Sequence, residues 1–144
     1  MQVVEYIRVC VDHDVEVARR AFAQSTMGYA LGQWVPTERE RQLGYRAHFE
    51  RMGYTEALAE LDQMRQQGAT PDEVADAFPP DLLKRAGYYG TPEGAAMAFR
   101  RLAERLDVAI VRVIAARPGL ASVLAALHAC RPELVNPQSS PPRP

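Results

Sequence analysis

Two stretches of the chain are dense in β-branched residues, and around them the apolar positions recur at helical spacing. Residues 3–11 hold Val3, Val4, Ile7, Val9 and Val11 around Tyr6, a texture that suits a strand buried over part of both faces. Asp12, His13 and Asp14 follow, offering capping oxygens. Val15, Ala18, Phe22 and Tyr29 then fall on one side at helical spacing, which predicts a helix over about 14–30. The chain breaks over Gly32 to Pro36. Thr37 and Glu40 have the spacing of a capping box for a second helix reaching about Met52, where Gly53 can take the left-handed terminating conformation. Leu58, Leu61 and Met64 form the stripe of a third helix that stops near Gly68. Thr70-Pro71-Asp72-Glu73 opens another short helix with a cap, a proline at the first helical position and an acid at the third, and Pro79-Pro80 closes it.

From Ala86 onward the texture changes. Gly87-Tyr88-Tyr89-Gly90 reads as a very short strand leading into Thr91-Pro92-Glu93, again a cap followed by proline, and Ala95, Ala98, Phe99, Leu102 and Leu106 mark an amphipathic helix. Val108 to Ile114 is the second convincing strand. Pro118-Gly119 turns the chain into a last helix with Leu120, Val123, Leu124 and Leu127 on one face, and residues 136–144, four of them proline, predict a disordered tail. Strands alternating with helices imply parallel pairing through right-handed crossovers. Three such strands with helices on one side leave an apolar face without cover, which points to part of a larger closed α/β barrel.

Composition narrows the classes of function. The chain has 144 residues, 47% hydrophobic and 24% charged, room for one core. Seventeen Lys and Arg against eighteen Asp and Glu give a net charge of -1, so no overall positive field exists to hold nucleic acid. The longest apolar run, Val108 to Ala116, contains Arg112 and falls far short of the roughly 20 residues that cross a bilayer. Glu5 and Arg8 interrupt the first residues where a secretory signal would be apolar, which points to a cytoplasmic protein. Cys10 and Cys130 sit singly in apolar segments and read as packed, reduced thiols.

The most specific feature is a set of segments in a fixed order. Val9-Cys10-Val11-Asp12 runs into Asp14-Val15-Glu16-Val17-Ala18-Arg19-Arg20; Tyr45-Arg46-Ala47-His48-Phe49-Glu50-Arg51-Met52-Gly53-Tyr54 follows, then Phe78-Pro79-Pro80-Asp81-Leu82-Leu83, then Gly90-Thr91-Pro92-Glu93. Over residues 3 to 130 this series resembles the carboxy-terminal part of luciferase-like monooxygenases, a family of flavin- and deazaflavin-dependent oxidoreductases. The resemblance implies the last three βα units of a (β/α)8 TIM barrel, a partial barrel domain over 1–135 with a helical insertion at about 32–85. Gly94 and Leu106-Asp107 depart from the family, which usually has a second acid after Glu93 and a glycine ending that helix. The family's first five strands, which bring most of the flavin contacts, have no counterpart here. The resemblance therefore implies FMN or a deazaflavin coenzyme, with a missing amino-terminal barrel half or a homo-oligomer as partner. The alternative is a noncatalytic binding or assembly module.

In such a barrel chemistry sits at the carboxyl ends of the strands, and phosphates meet the late loops or a helix start. Gly90 and Thr91 can present backbone N–H groups and a hydroxyl to an anion, or Thr91 can simply cap its own helix. Arg117, beside Ala116, can pair with a phosphate or stand as an ordinary surface arginine. His13 is a candidate for substrate contact or proton exchange, or a loop residue between two caps. Tyr29, Trp34 and Tyr45 border the insertion; Trp34 is a candidate substrate wall, while packing is the commoner use of aromatics at helix junctions. His13, His48 and His128 lie 35 and 80 residues apart, which is no metal-ligand spacing.

Overall fold

A computed structural model describes residues 1–32 and 37–131 of the chain, the side chains of residues 40 and 41 left aside. Trp34, the Glu40 half of the expected capping box and the proline-rich 136–144 lie outside that description. The element order is β1 (Val4–Val11), α1 (Val15–Ala30), α2 (Glu38–Leu43), α3 (Tyr45–Phe49), a wide turn at Glu50–Tyr54, α4 (Thr55–Gln66), α5 (Pro71–Asp76), α6 (Pro80–Ala86), β2 (Tyr88–Gly90), α7 (Pro92–Leu102), β3 (Val108–Val113) and α8 (Leu120–Ala129). This is a mixed α/β chain with a small parallel sheet. It divides into two compact units, one of Met1–Arg19 with the chain from Gly87 onward and one of Arg20–Ala86.

In the first unit the strands lie in the order β2-β1-β3. Val9, Cys10 and Val11 pair with Tyr88, Tyr89 and Gly90 on one side of β1, and Val4 through Val9 pair with Val108 through Val113 on the other, both parallel. The arrangement corrects one expectation. In three successive strands of a TIM barrel β2 would lie in the middle, whereas here β1 does. The physical reason lies in the strands. β1 is the longest, and Val9, Cys10 and Val11 are almost fully buried, so the centre, where both backbone edges are paired, suits it best. β2 has only three residues and β3 none that is buried, and they take the edges.

Ile7, Val9 and Val11 share one face of β1 and form a core with Ala95 of α7 and with Ala126, Ala129 and Cys130 at α8. Val111 and Val113, the register partners of Ile7 and Val9, pack against the same core, as does Ala109 opposite Glu5. α7 and α8 pack on each other and on β1 through alanines, because small side chains let helix backbones approach closely. The leucines of α8 point elsewhere: Leu120, Leu124 and Leu127 are 69%, 42% and 45% exposed. On the other sheet face Cys10 is buried while Val4, Tyr6 and Val108 are exposed, so the apolar face expected to lack cover is bare toward the starts of β1 and β3.

The second unit is helical and takes in the second half of α1. Arg20 donates two hydrogen bonds to Asp76, at 2.9 and 2.8 Å, and Gln24 donates one to Asp72. The buried Thr26 hydroxyl donates to the Phe22 carbonyl at 2.8 Å, so no buried oxygen is left without a partner there. Two helices, parted at Gly44, and a wide turn stand where one helix was expected over 37–52, and the wide turn kinks at Gly53, whose φ of 98° is the left-handed conformation anticipated for it. The box at Thr70 is complete: the Glu73 N–H donates to the Thr70 hydroxyl, and the Glu73 carboxylate accepts from the Thr70 N–H at 2.7 Å. Pro79-Pro80 does more than end α5, since Pro80 opens α6 at a position where its missing N–H costs nothing. Tyr29 and Tyr45 meet edge to face with centroids 5.1 Å apart, the packing use of these aromatics.

Leu58 on α4 has no exposed surface. Leu58→Ala leaves a cavity and is expected to lower stability by about 2–5 kcal/mol, read from urea denaturation followed by far-UV circular dichroism. Thr70→Ala removes only the cap and is expected to cost about 1 kcal/mol in the same measurement.

Candidate functional site

Parallel pairing places the carboxyl ends of all three strands at one end of the sheet, so the loops after them meet. That end carries Asp12, His13 and Asp14 after β1, Gly90 and Thr91 after β2, and Arg117 after β3. The Asp12 N–H continues the ladder by donating to the Gly90 carbonyl at 3.0 Å, and the Ile114 N–H donates to the Val9 carbonyl at 2.8 Å. Four of the five positions singled out in the sequence, His13, Gly90, Thr91 and Arg117, thus gather at one edge; Trp34 lies outside the described residues.

The dominant contact is an ion pair that the sequence reading missed. Arg117 Nε donates to Asp12 Oδ2 at 2.7 Å and its Nη2 to Oδ1 at 3.3 Å, a two-point guanidinium–carboxylate pair. Asp12 Oδ1 also accepts from the Asp14 N–H at 2.9 Å. These bonds, the arginine's first, hold the Asp12 carboxyl below its ordinary range. The Arg117 N–H donates to the Ser122 hydroxyl in the first turn of α8. Asp14 is the cap expected there, accepting from the Glu16 N–H at 3.0 Å, while Asp12 holds two loops together.

The second cluster lies at the start of α7. Thr91 stands at the cap position without a side-chain capping bond, so the simple cap does not describe it. Its hydroxyl is instead a partner of the Glu93 carboxylate, which is held low by its own backbone N–H first and by that hydroxyl second. His13 Nδ1 lies 3.8 Å from Glu93 Oε1, both side chains largely exposed. The Tyr88 hydroxyl donates to the Thr91 carbonyl at 2.7 Å and folds over Gly90 and Gly94; a Cβ on either glycine would lie within 2.8 or 2.6 Å of it.

Three features that would receive a coenzyme phosphate are therefore engaged within the chain. Asp12 neutralises Arg117, Glu93 brings a negative charge to the start of α7, and the Tyr88 hydroxyl fills the space over the glycines. In this arrangement the residues do not fit the phosphate of FMN or of a deazaflavin. Burial pushes the Cys10 thiol up to about 12, with the Asp12 charge adding to it, and the Cys130 thiol up to about 11, which keeps both protonated near neutral pH. Among the described residues no three His, Cys, Asp or Glu side chains come together to hold a metal, and no helix is long and apolar enough to cross a membrane. No family model matches the chain, and no curated protein or solved structure is similar to it.

Because the folded Asp12 titrates below its unfolded value, its pairing stabilises the fold above the ordinary aspartate range, and that contribution disappears as pH falls through the lowered value. Asp12→Asn is expected to lower the melting temperature near pH 7 and to flatten its decline between about pH 5 and pH 2. Arg117→Ala should do the same, and the double variant should add little to either single one. Gly90 has a φ of 155° and Tyr88 against it, so Gly90→Ala is expected to destabilise by about 1–3 kcal/mol, partly recovered by Tyr88→Ala, both read by thermal denaturation.

Proposed function

We propose that this chain is the carboxy-terminal, site-forming segment of a luciferase-like oxidoreductase that uses FMN or a deazaflavin coenzyme, and that it is inactive by itself. The supporting observation is that His13, Gly90, Thr91 and Arg117, chosen from segments as far apart in the chain as residues 13 and 117, lie together at the carboxyl edge of a parallel sheet, where α/β enzymes build their sites. In a completed barrel β2 would stand between β1 and β3. The order described above is then that of the chain alone, with β3 held on the edge of β1 that a preceding barrel strand would take. The same logic accounts for the closed phosphate features: without a ligand, Asp12 and Glu93 are the nearest anions to Arg117 and to the start of α7. Assembly with the missing strands would release β3 from β1 and with it the loop that brings Arg117 to Asp12. The protein's part in such an enzyme is to bind and orient the coenzyme, which supplies the redox chemistry.

The test is a fluorescence titration of FMN, and separately of a deazaflavin, into the purified chain, alone and with the polypeptide encoded directly upstream. No tight binding and no turnover are expected from the chain alone. Micromolar binding is expected with the upstream polypeptide, weakened by Thr91→Ala or Arg117→Ala about tenfold or more. Stoichiometric binding by the chain alone would sink the idea of an incomplete site. An upstream sequence without βα units, together with no binding in either mixture, would sink the oxidoreductase reading itself.

A further inference from the structure

The outer surface of the α7–α8 layer has a composition that ordinary solvent-facing helices lack. α8 contains no Asp, Glu, Lys or Arg over its whole length, and its side away from the core is Leu120, Leu124 and Leu127. Beside it, the exposed side of α7 carries Glu93, Met97, Arg100 and Arg101, at the i, i+4, i+7 and i+8 positions of one stripe. Met97 is 62% exposed. The stripe is therefore acid at its amino end, base at its carboxyl end and apolar between them.

We infer that this layer is a docking surface for a second copy of the chain, packed about a two-fold axis that passes near Met97. A two-fold axis across α7 sets the two helices antiparallel, which brings Glu93 of each copy toward Arg101 of the other and puts no like charges together. The same operation lays the leucine faces of α8 alongside this contact, and their lack of charge leaves nothing to repel a like surface. A strongly acidic or basic partner would find no complement on α8; an identical copy finds one along both helices. Two helices of this length, each about 15 Å long, present a small interface, below the roughly 1,200 Å² total of stable complexes. The dimer is thus concentration-dependent rather than obligate. The inference does not rest on the oxidoreductase reading: of the residues it uses, only Glu93 also belongs to the clusters at the carboxyl edge.

The experiment combines sedimentation velocity with a cross-link. The chain should pass from monomer to dimer over a roughly hundredfold concentration range in the micromolar region. Leu124→Glu should weaken dimerisation about tenfold or more, with an unchanged far-UV spectrum. If that variant fails to fold, Leu120→Glu, whose acid suits the first turn of a helix, gives the same readout. Met97→Cys, treated with diamide as the oxidant, should yield a disulfide-linked dimer, with diamide reduced as the two thiols lose their protons and electrons. The parent, whose two cysteines are buried, should yield none. A parent that stays monomeric over the whole range would overturn the inference. So would a dimer that survives in folded Leu120→Glu or Leu124→Glu, or a Met97→Cys variant that dimerises without cross-linking.

Discussion

Parallel pairing of β1 on both of its edges is the constraint from which the first unit follows. A parallel ladder cannot be made by a tight turn, so each neighbour of β1 must arrive by a long connection, and all three strands end at the same side. That common end brings the loop after residue 11 to the loop after residue 113. The contact between Asp12 and Arg117, 105 residues apart in the chain, is a consequence of register rather than of any local preference. The same ladder fixes which side chains alternate inward, and Ile7, Val9 and Val11 then determine where α7 and α8 must lie.

Charge at the carboxyl edge is balanced internally, and the balance is specific. Arg117 meets a largely covered carboxylate in two-point geometry, while the more exposed His13 and Glu93 only approach each other. The helical unit treats its charges in a similar way: Arg46 lies between Glu50 at 2.9 Å and Asp62 at 2.6 Å, and the Tyr54 hydroxyl donates to Asp81 at 2.7 Å. Each of these pairs bridges elements that hydrophobic periodicity alone would leave free to slide.

Features with local causes were legible in the residues. The Thr70 box, the left-handed Gly53, the two free buried cysteines and the parallel strand–helix alternation all depend on neighbours a few positions away or on plain burial. α6 was hidden because Pro80 was read as a stop, although proline is equally at home as a first helical residue. The order of strands was hidden for a deeper reason: periodicity tells which residues are buried but not which strand lies beside which. Burial on α8 ran opposite to residue size, since the tight crossing with α7 favours Ala126 and Ala129 over the leucines. Of the site, the positions after the strands could be picked out, whereas their mutual pairings could not, because Asp12 and Glu93 meet Arg117 and His13 across loops that only the sheet brings together. The luciferase-like resemblance rests on segment order, to which the sheet order adds no support.

Cys10 gives the central strand a built-in clock. Its side chain is fully buried near the carboxyl end of the strand, opposite Tyr89 of β2 and beyond the pairs with β3, and its thiolate is suppressed by burial and by the neighbouring Asp12 charge. A thiol reagent can therefore reach it only after the packing over that sheet face has opened. The rate at which Cys10 is alkylated under native conditions reports how often that packing opens, a frequency set by the free energy of opening that part of the fold rather than by the reagent.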